Sequence, residues 1–351
     1  MPLECANDPA LRETLVSFLL ASFHLLPDAP FVQPALLQWK YDEPRPDWPG
    51  PRSFIWRDGD AIAAHACLCP VTYRLPSGNA TGSYLIDWAA SRTSAGAGVK
   101  LLRSLARQFD TLLAVGGSAD TRSILPKLGY RRVCDLRFYT RVLRPWRQCR
   151  TDPYPRRWKA PLRLARNVVR SFAPMPGAPS AWSEQRIGSF DSSPATSPGL
   201  FDARADSPFP CSLRTPELMN YYLRCPSAVF TTALVLQAGV PFGWYVLSRV
   251  GGQVRIADIW VNSGTPADWS AAYALAARTA SGDPDACELV ATASVPLAVE
   301  AVTRAGFRFH HAEPVFLLDP RNLFASSQSL NVTLLESDLA YLLDPAYPYL
   351  T

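Results

Sequence analysis

The chain has no Cys-x-x-Cys pair and no paired Cys/His spacing, which argues against the common zinc modules, and no metal is expected. Its eight cysteines, Cys5, Cys67, Cys69, Cys134, Cys149, Cys211, Cys225 and Cys287, are scattered and read as free thiols of a reducing compartment. No basic region opens the sequence: Glu4, Asp8 and Glu13 stand where a secretory leader needs cations. The apolar run from Leu15 to Phe23 is too short to cross a bilayer, so no integral membrane segment is expected and the cytoplasm is the expected location. Charged residues make up only 19% of the chain and hydrophobic ones 48%, enough apolar material for a sizeable core. At 351 residues, two domains are expected, and 33 prolines predict many loops.

Charge is unevenly placed. Arg141 to Arg170 carries ten basic residues against one acid, Asp152; this local +9 leaves −4 for the remainder of a chain whose net charge is +5. The segment lies in a Pro/Ser/Arg-rich stretch and predicts a helix over 156–172. Leu162, Leu164, Val168, Val169 and Phe172 alternate there with arginines. An anionic surface is one partner for residues 141–170; a linker helix with its arginines solvated or paired is the other reading.

Apolar periodicity and turn residues predict the same series of elements twice. In the first half, helices over 9–24 and 34–40 precede strands over 53–57, 61–75 and 81–90. A helix over 99–109, a strand over 112–115, a helix over 118–128 and a strand over 131–143 follow. In the second half, strands over 234–236, 241–250 and 254–261 precede a helix over 268–279, a strand over 289–292, a helix over 296–304 and a strand over 307–318. Landmarks agree. Ile86-Asp87-Trp88 answers Asp258-Ile259-Trp260, and Lys127-Leu128-Gly129-Tyr130 answers Arg304-Ala305-Gly306-Phe307. A duplicated unit follows. The expected class is α/β, an α+β mixed sheet, with a first domain over 1–145, a linker over 146–199, a second domain over 200–320 and a tail over 321–351. The tail carries an expected strand over 330–335.

The chemistry-bearing stretch runs from Ile86 to Leu102. A strand enters the small-residue loop Ser91-Arg92-Thr93-Ser94-Ala95-Gly96-Ala97-Gly98, and the loop enters a helix. Such a loop brings backbone N–H groups close to a diphosphate, and the helix N-terminus adds partial positive charge. The second half has Asn262-Ser263-Gly264-Thr265-Pro266-Ala267-Asp268 in its place. Pro266 lacks a donor and Asp268 repels anions, so this copy is not expected to bind one.

The loop, the order of elements and the Lys-Leu-Gly-Tyr turn together resemble the GNAT acyltransferase superfamily, whose loop reads Gln/Arg-x-x-Gly-x-Gly/Ala. Gly96 and Gly98 fill the glycine places; Thr93 stands at the first, beside Arg92. The resemblance covers residues 1–145 well and 200–320 weakly. It implies two tandem acyl-CoA N-acyltransferase-like domains, the second degenerate, with acetyl-CoA or another acyl-CoA as cosubstrate. Ser94, Ala95, Gly96, Ala97 and Gly98 would hold the pyrophosphate, and splayed strands the pantetheine and thioester. The acceptor would be an amine on a small molecule or an amino sugar.

Two departures bear on catalysis. The family's frequent asparagine falls here on Ser118, and its general-acid tyrosine falls on Leu125, which cannot protonate a departing thiolate. Asp87, His65 and Tyr139 are the substitute candidates, on the third, second and last strands of the first half. Gly116-Gly117-Ser118 offers backbone to the pantetheine. Two other functions fit: an inactive GNAT-like protein that binds a ligand or partner, and an aminoacyl-tRNA-dependent transferase with tandem GNAT-like folds. Beyond Trp146 and Trp158 there is no aromatic-basic interleaving, so nucleic acid is not an expected partner.

Overall fold

In a computed structural model, the structure describes residues 3–75, 77–152, 157–190, 198–325, 329–345 and 347–351. The chain divides into two compact units. The first comprises Met1–Val133, Arg224–Ser227 and Val315–Gln328; the second comprises Cys134–Leu223, Ala228–Pro314 and Ser329–Thr351.

The first unit contains β1 (Glu4–Cys5), α1 (Arg12–Phe23), α2 (Pro34–Leu37), β2 (Ser53–Asp58), β3 (Ala61–Leu75) and β4 (Gly78–Ala90). It continues with α3 (Ala97–Leu105), β5 (Thr111–Val115), α4 (Ala119–Ile124) and the start of β6 (Arg131–Val142). Strands β1 to β4 form an antiparallel meander, and β5 joins β4 in parallel. β3 is buried over most of its fifteen residues, as its nearly unbroken apolar sequence requires of a central strand. Its Ala64, Ala66 and Leu68, with Phe54 of β2, pack on Leu101, Leu102 and Leu105 of α3, whose Lys100 and Arg103 face out. Helix α4 runs on into a 3-10 turn at Leu125–Leu128, because Pro126 has no N–H to continue an α-helix, and Gly129 ends it at φ 90°.

The second unit contains α5 (Pro145–Thr151), α6 (Ala160–Ser171), β7 (Trp182–Ile187), α7 (Pro198–Ala205), α8 (Pro216–Leu223) and β8 (Val229–Gln237). Then come β9 (Val240–Val250), β10 (Gln253–Val261), α9 (Pro266–Gly282), β11 (Glu288–Ala293), α10 (Pro296–Arg304) and β12 (Arg308–Leu318). From β8 onward this is the order of the first unit from β2 onward. β10 pairs β9 antiparallel and β11 parallel, as β4 pairs β3 and β5.

The final strands are exchanged. The strand beside β5 in the first unit is the end of β12, with Val315↔Val115 to Leu318↔Leu112. The strand beside β11 in the second unit is β6, with Glu288↔Val142 to Ala293↔Arg137. Each half of the sequence thus completes the sheet of the other.

Residues 146–199 carry α5, α6 and β7, and β7 pairs with β8 at the edge of the second unit's sheet. The strand expected over 330–335 does not form. Only Asn331 makes a β-bridge, to Cys211, and Thr333 and Glu336 cap a 3-10 turn reciprocally. The turn wins because it aims the buried Glu336 carboxylate at Arg214, 3.0 Å away, a contact that a straight strand would not supply.

Candidate functional site

Strand β4 ends at Ala90, and the loop is tied to the sheet at once: Ser91 N–H donates to the Ala63 carbonyl at 2.8 Å. The Thr93 N–H donates to Ser91 Oγ at 3.2 Å, and the Ser94 hydroxyl donates to Asp58 at 2.9 Å. Gly96 turns the chain into α3 with φ 77°, a left-handed conformation that suits glycine. Gly98 is needed for a different reason. A Cβ there would lie 2.9 Å from the Ala90 Cβ and 3.3 Å from Trp88 Nε1, so only glycine lets α3 seat its first turn on β4.

The N-terminus of α3 is open. Its N-cap is Gly96, no side chain caps it, and its first turn has no acid. The Ala97 N–H donates to the Ser94 carbonyl at 3.2 Å, which leaves the Gly98 and Val99 amides as the first-turn donors without an intrahelical acceptor, the arrangement that attracts phosphate oxygens. A cavity of about 240 Å³ lies beside the loop, lined by Arg57, Asp58, Thr93, Ser94, Ala95 and Lys100 among others. Arg57 is ion-paired with Glu4 at 3.0 Å and Asp58 accepts from Ser94, so the charges of the lining are close to balanced and Lys100 is its other cation.

The equivalent helix in the second unit is closed. Thr265 caps α9 by accepting from Asp268 N–H at 3.3 Å, and Ser263 donates to the Asp268 carboxylate at 2.6 Å. The protein's own carboxylate occupies the place of an anion.

Downstream of the loop, β4 and β5 separate. They pair only over Gly82–Tyr84 with Thr111–Leu113, and Leu85–Ala90 continue without β5. Diverging parallel strands leave backbone donors and acceptors facing a wedge. Near this divergence β4 carries a bulge. The β3 register shifts between His65 and Cys67, and Asp87 takes φ 54°.

The bulge is fixed by buried polar side chains. Asp87 is 1% exposed in its side chain and lies 2.5 Å from Lys40 Nζ, whose side chain is equally buried. The Tyr41 hydroxyl donates to the same carboxylate at 2.8 Å. His65 Nδ1 donates to the Asp87 carbonyl at 3.0 Å, since a carbonyl can only accept, and Nε2 accepts from the Ser53 hydroxyl at 3.0 Å. Burial pushes the His65 pKa down to about 3; the bond to Asp87 opposes this and the Lys40 charge adds to it. The imidazole is neutral and out of reach of solvent.

The structure thus brings Asp87 and His65 together, but as an internal brace. Tyr139 lies in the second unit, opposite Ala291 and edge-on to Phe309 at 5.8 Å. Ser118 follows Gly116 and Gly117 at the end of β5. There it caps α4, accepting from Thr121 N–H at 3.2 Å. Leu125 is wholly buried in the core. Lys40, Tyr41, Arg57 and Lys100 were missed from sequence. Nothing local to Lys40-Tyr41 marks its pairing with Asp87. Arg57 and Lys100 meet only because β2 and α3 flank the loop. Among the described residues, no group of three or more His, Cys, Asp or Glu side chains is set to hold a metal ion, and no helix is long and apolar enough to cross a membrane.

No protein-family model matches the chain, and no curated protein matches it. Solved structures do. A GCN5-related N-acetyltransferase from Anabaena variabilis ATCC 29413 superposes with a TM-score of 0.59 and 9% identity, over 95% of this chain and 83% of that one. A conserved protein of unknown function from Enterococcus faecalis V583, described as a probable N-acyltransferase, gives a TM-score of 0.54 and 13% identity over 90% and 71%. At such identities the likeness establishes the fold: this chain is a mixed α/β protein with the fold of the GNAT acetyltransferases.

Proposed function

We propose that the chain is an N-acyltransferase that takes its acyl group from acyl-CoA, acetyl-CoA by default, and delivers it in the cytoplasm to an amine on a small molecule or amino sugar. The observation that carries this reading is the contrast between two helix starts. α3 is uncapped, free of acid in its first turn and set beside a polar cavity that carries Lys100, whereas α9 is capped by Thr265 and carries Asp268. One GNAT-like unit is built to receive a diphosphate and the other is built to refuse it.

In this reading the amides from Ser94 to Gly98 hold the pyrophosphate, with Lys100 and Arg57 adding charge. The open edge of β4 past Tyr84 and the backbone of Gly116 to Ser118 receive the pantetheine. The amine attacks the thioester carbonyl directly, and the thiolate departs without a side-chain acid, because Leu125 stands where one would be. Asp87 and His65 act as positioning residues: they hold the bulge of β4 and move no proton. Tyr139 has no proton-transfer role here, being packed against Phe309.

A second reading rests on the same leucine and the buried Asp87–His65 brace: a GNAT-like unit that binds acyl-CoA or a related ligand without turnover. Calorimetric titration with acetyl-CoA is the first test, and absence of binding at millimolar ligand would overturn both acyl-CoA readings. If binding occurs and Lys100→Glu with Arg57→Glu abolishes it, the loop is the site. Thioester consumption across a panel of amines then separates enzyme from binder.

A further inference from the structure

Helix α6 is built inside out. Its inward face carries Arg163, Leu164, Asn167 and Val168. Asn167 is buried, and its side-chain amide donates to Gln148 of α5 at 3.0 Å. Arg163 is held by Asp152 and by the main-chain oxygen of Thr351. The apolar residues point the other way. Leu162 is 69% exposed, Val169 72% and Phe172 81%, and Trp158, in the turn just before α6, is 73% exposed. With the exposed Ala165, these positions recur at spacings of four and three residues, which places them in one stripe along the helix.

Among the described residues, nothing in the unit covers the stripe, and its surroundings are cationic. Lys159, Arg166 and Arg170 are interleaved with it, and no acid occurs from Trp158 to Phe172. The Lys159 ammonium sits 4.7 Å from the Trp158 ring centroid. Burial first, then the neighbouring Arg170 and Arg163 charges, depress the Arg166 pKa, and Glu288 opposes them.

We propose that this face docks on an anionic lipid bilayer, α6 lying in the plane of the interface. Leu162, Val169 and Phe172 would enter the acyl boundary, Trp158 would sit at headgroup level, and Lys159, Arg166 and Arg170 would meet lipid phosphates. Charge selects this occupant. A second copy seated through the same face would set cations against cations, whereas an anionic membrane surface supplies both the apolar phase and the countercharge. Such docking would bring the chain to a membrane surface through a helix that lies on it.

The test is flotation of the full chain with vesicles of phosphatidylcholine alone or mixed with phosphatidylserine. The chain is expected to float with the mixed vesicles at low salt and to be released by high salt. Val169→Asp with Phe172→Asp should abolish binding. Lys159→Glu, Arg166→Glu and Arg170→Glu together should weaken it by roughly a hundredfold, the weight of three interfacial cations. All five side chains lie on the exposed part of the helix or flank it, so circular dichroism should not change. In the unaltered chain, tryptophan emission should shift to the blue on mixed vesicles, and Trp158→Phe should reduce the shift. Absence of flotation with either vesicle would overturn the proposal, as would flotation indifferent to both sets of substitutions. Without flotation, self-association abolished by Val169→Asp with Phe172→Asp would assign the face to a second copy, and capture of an acidic helix would assign it to a protein partner.

Discussion

The ammonium of Lys40 lies 2.5 Å from the carboxylate of Asp87, and both side chains are 1% exposed. Forty-seven residues apart in sequence, the two charges meet beneath the bulge of β4, where Tyr41 adds a third contact to the carboxylate. A buried charge whose partner is removed stays buried and uncompensated, so Lys40→Met is expected to cost about 3–5 kcal/mol of unfolding free energy. Asp87→Asn should cost as much through Lys40, although asparagine accepts the φ of 54° that alanine would resist. The double variant Lys40→Met, Asp87→Asn should recover a large part of the loss. Urea denaturation of the four proteins measures this coupling; additive losses in the double variant would show that the pair is not a unit.

His65 makes stability depend on pH. Its folded pKa of about 3 lies below its ordinary 6.5, so between those values the unfolded chain takes up a proton that the folded chain refuses. The contribution is whole above pH 6.5 and is lost as pH falls toward 3, at about 1.4 kcal/mol per pH unit where the difference in protonation is complete. Replacing His65 with Gln, which keeps a donor and an acceptor but does not titrate, should flatten the urea midpoint across that window. An unchanged slope would place the acid sensitivity on groups other than His65.

How much of this was visible in sequence depends on range. The glycine loop, the Gly129 stop and the order of elements are local signals: a φ that only glycine adopts readily, a periodicity, a proline that ends a helix. The exchange of β6 and β12 has no local sign, because each strand would look the same beside either partner. The Lys40–Asp87 pair needs the tertiary path that brings the helical turn after α2 against β4. Most instructive are the arginines of 141–170. Sequence counted ten cations on one stretch, yet Arg141 and Arg144 donate to the carbonyls of Ala173 and Ser281, and Arg163 turns inward on α6. Charge count cannot tell a cation that braces loops from one that faces solvent.

The two glycines of the loop should respond differently to substitution. Gly96→Ala meets no atom within 4 Å, and its cost is conformational, about 1 kcal/mol for the positive φ. Gly98→Ala drives a Cβ to 2.9 Å from the Ala90 side chain and must lift the start of α3 off β4, at about 1–3 kcal/mol. Because the first-turn amides move with the helix, Gly98→Ala should weaken acetyl-CoA binding more than Gly96→Ala does. Calorimetric titration of both variants checks the order, and the reverse order would mean that the loop, not the helix start, carries the phosphate contacts.

Glu288 supports the second unit from inside its sheet. It is fully buried at the start of β11, and both its oxygens are taken: Gln253 donates at 2.7 Å, Leu350 N–H at 2.9 Å, and Thr351 through its N–H at 2.7 Å and its hydroxyl at 2.5 Å. Arg163 and Gln148 hold the Thr351 main-chain oxygen from the other side. The segment around Thr351 is therefore a latch between β11 and the α5–α6 pair. Glu288→Ala strands four donors in a dry interior, and each unsatisfied donor costs about 1–3 kcal/mol, so this variant should fall among the least stable single substitutions in the chain. Glu288→Gln keeps one acceptor oxygen and should lose less. Arg163→Met opens the latch from the helix side. Hydrogen exchange should then show faster exchange of the Leu350 and Thr351 amides in both Glu288→Ala and Arg163→Met, while β2 to β4 keep their protection. Equal exchange across both units would mean that the latch stabilises the whole chain and not its second unit.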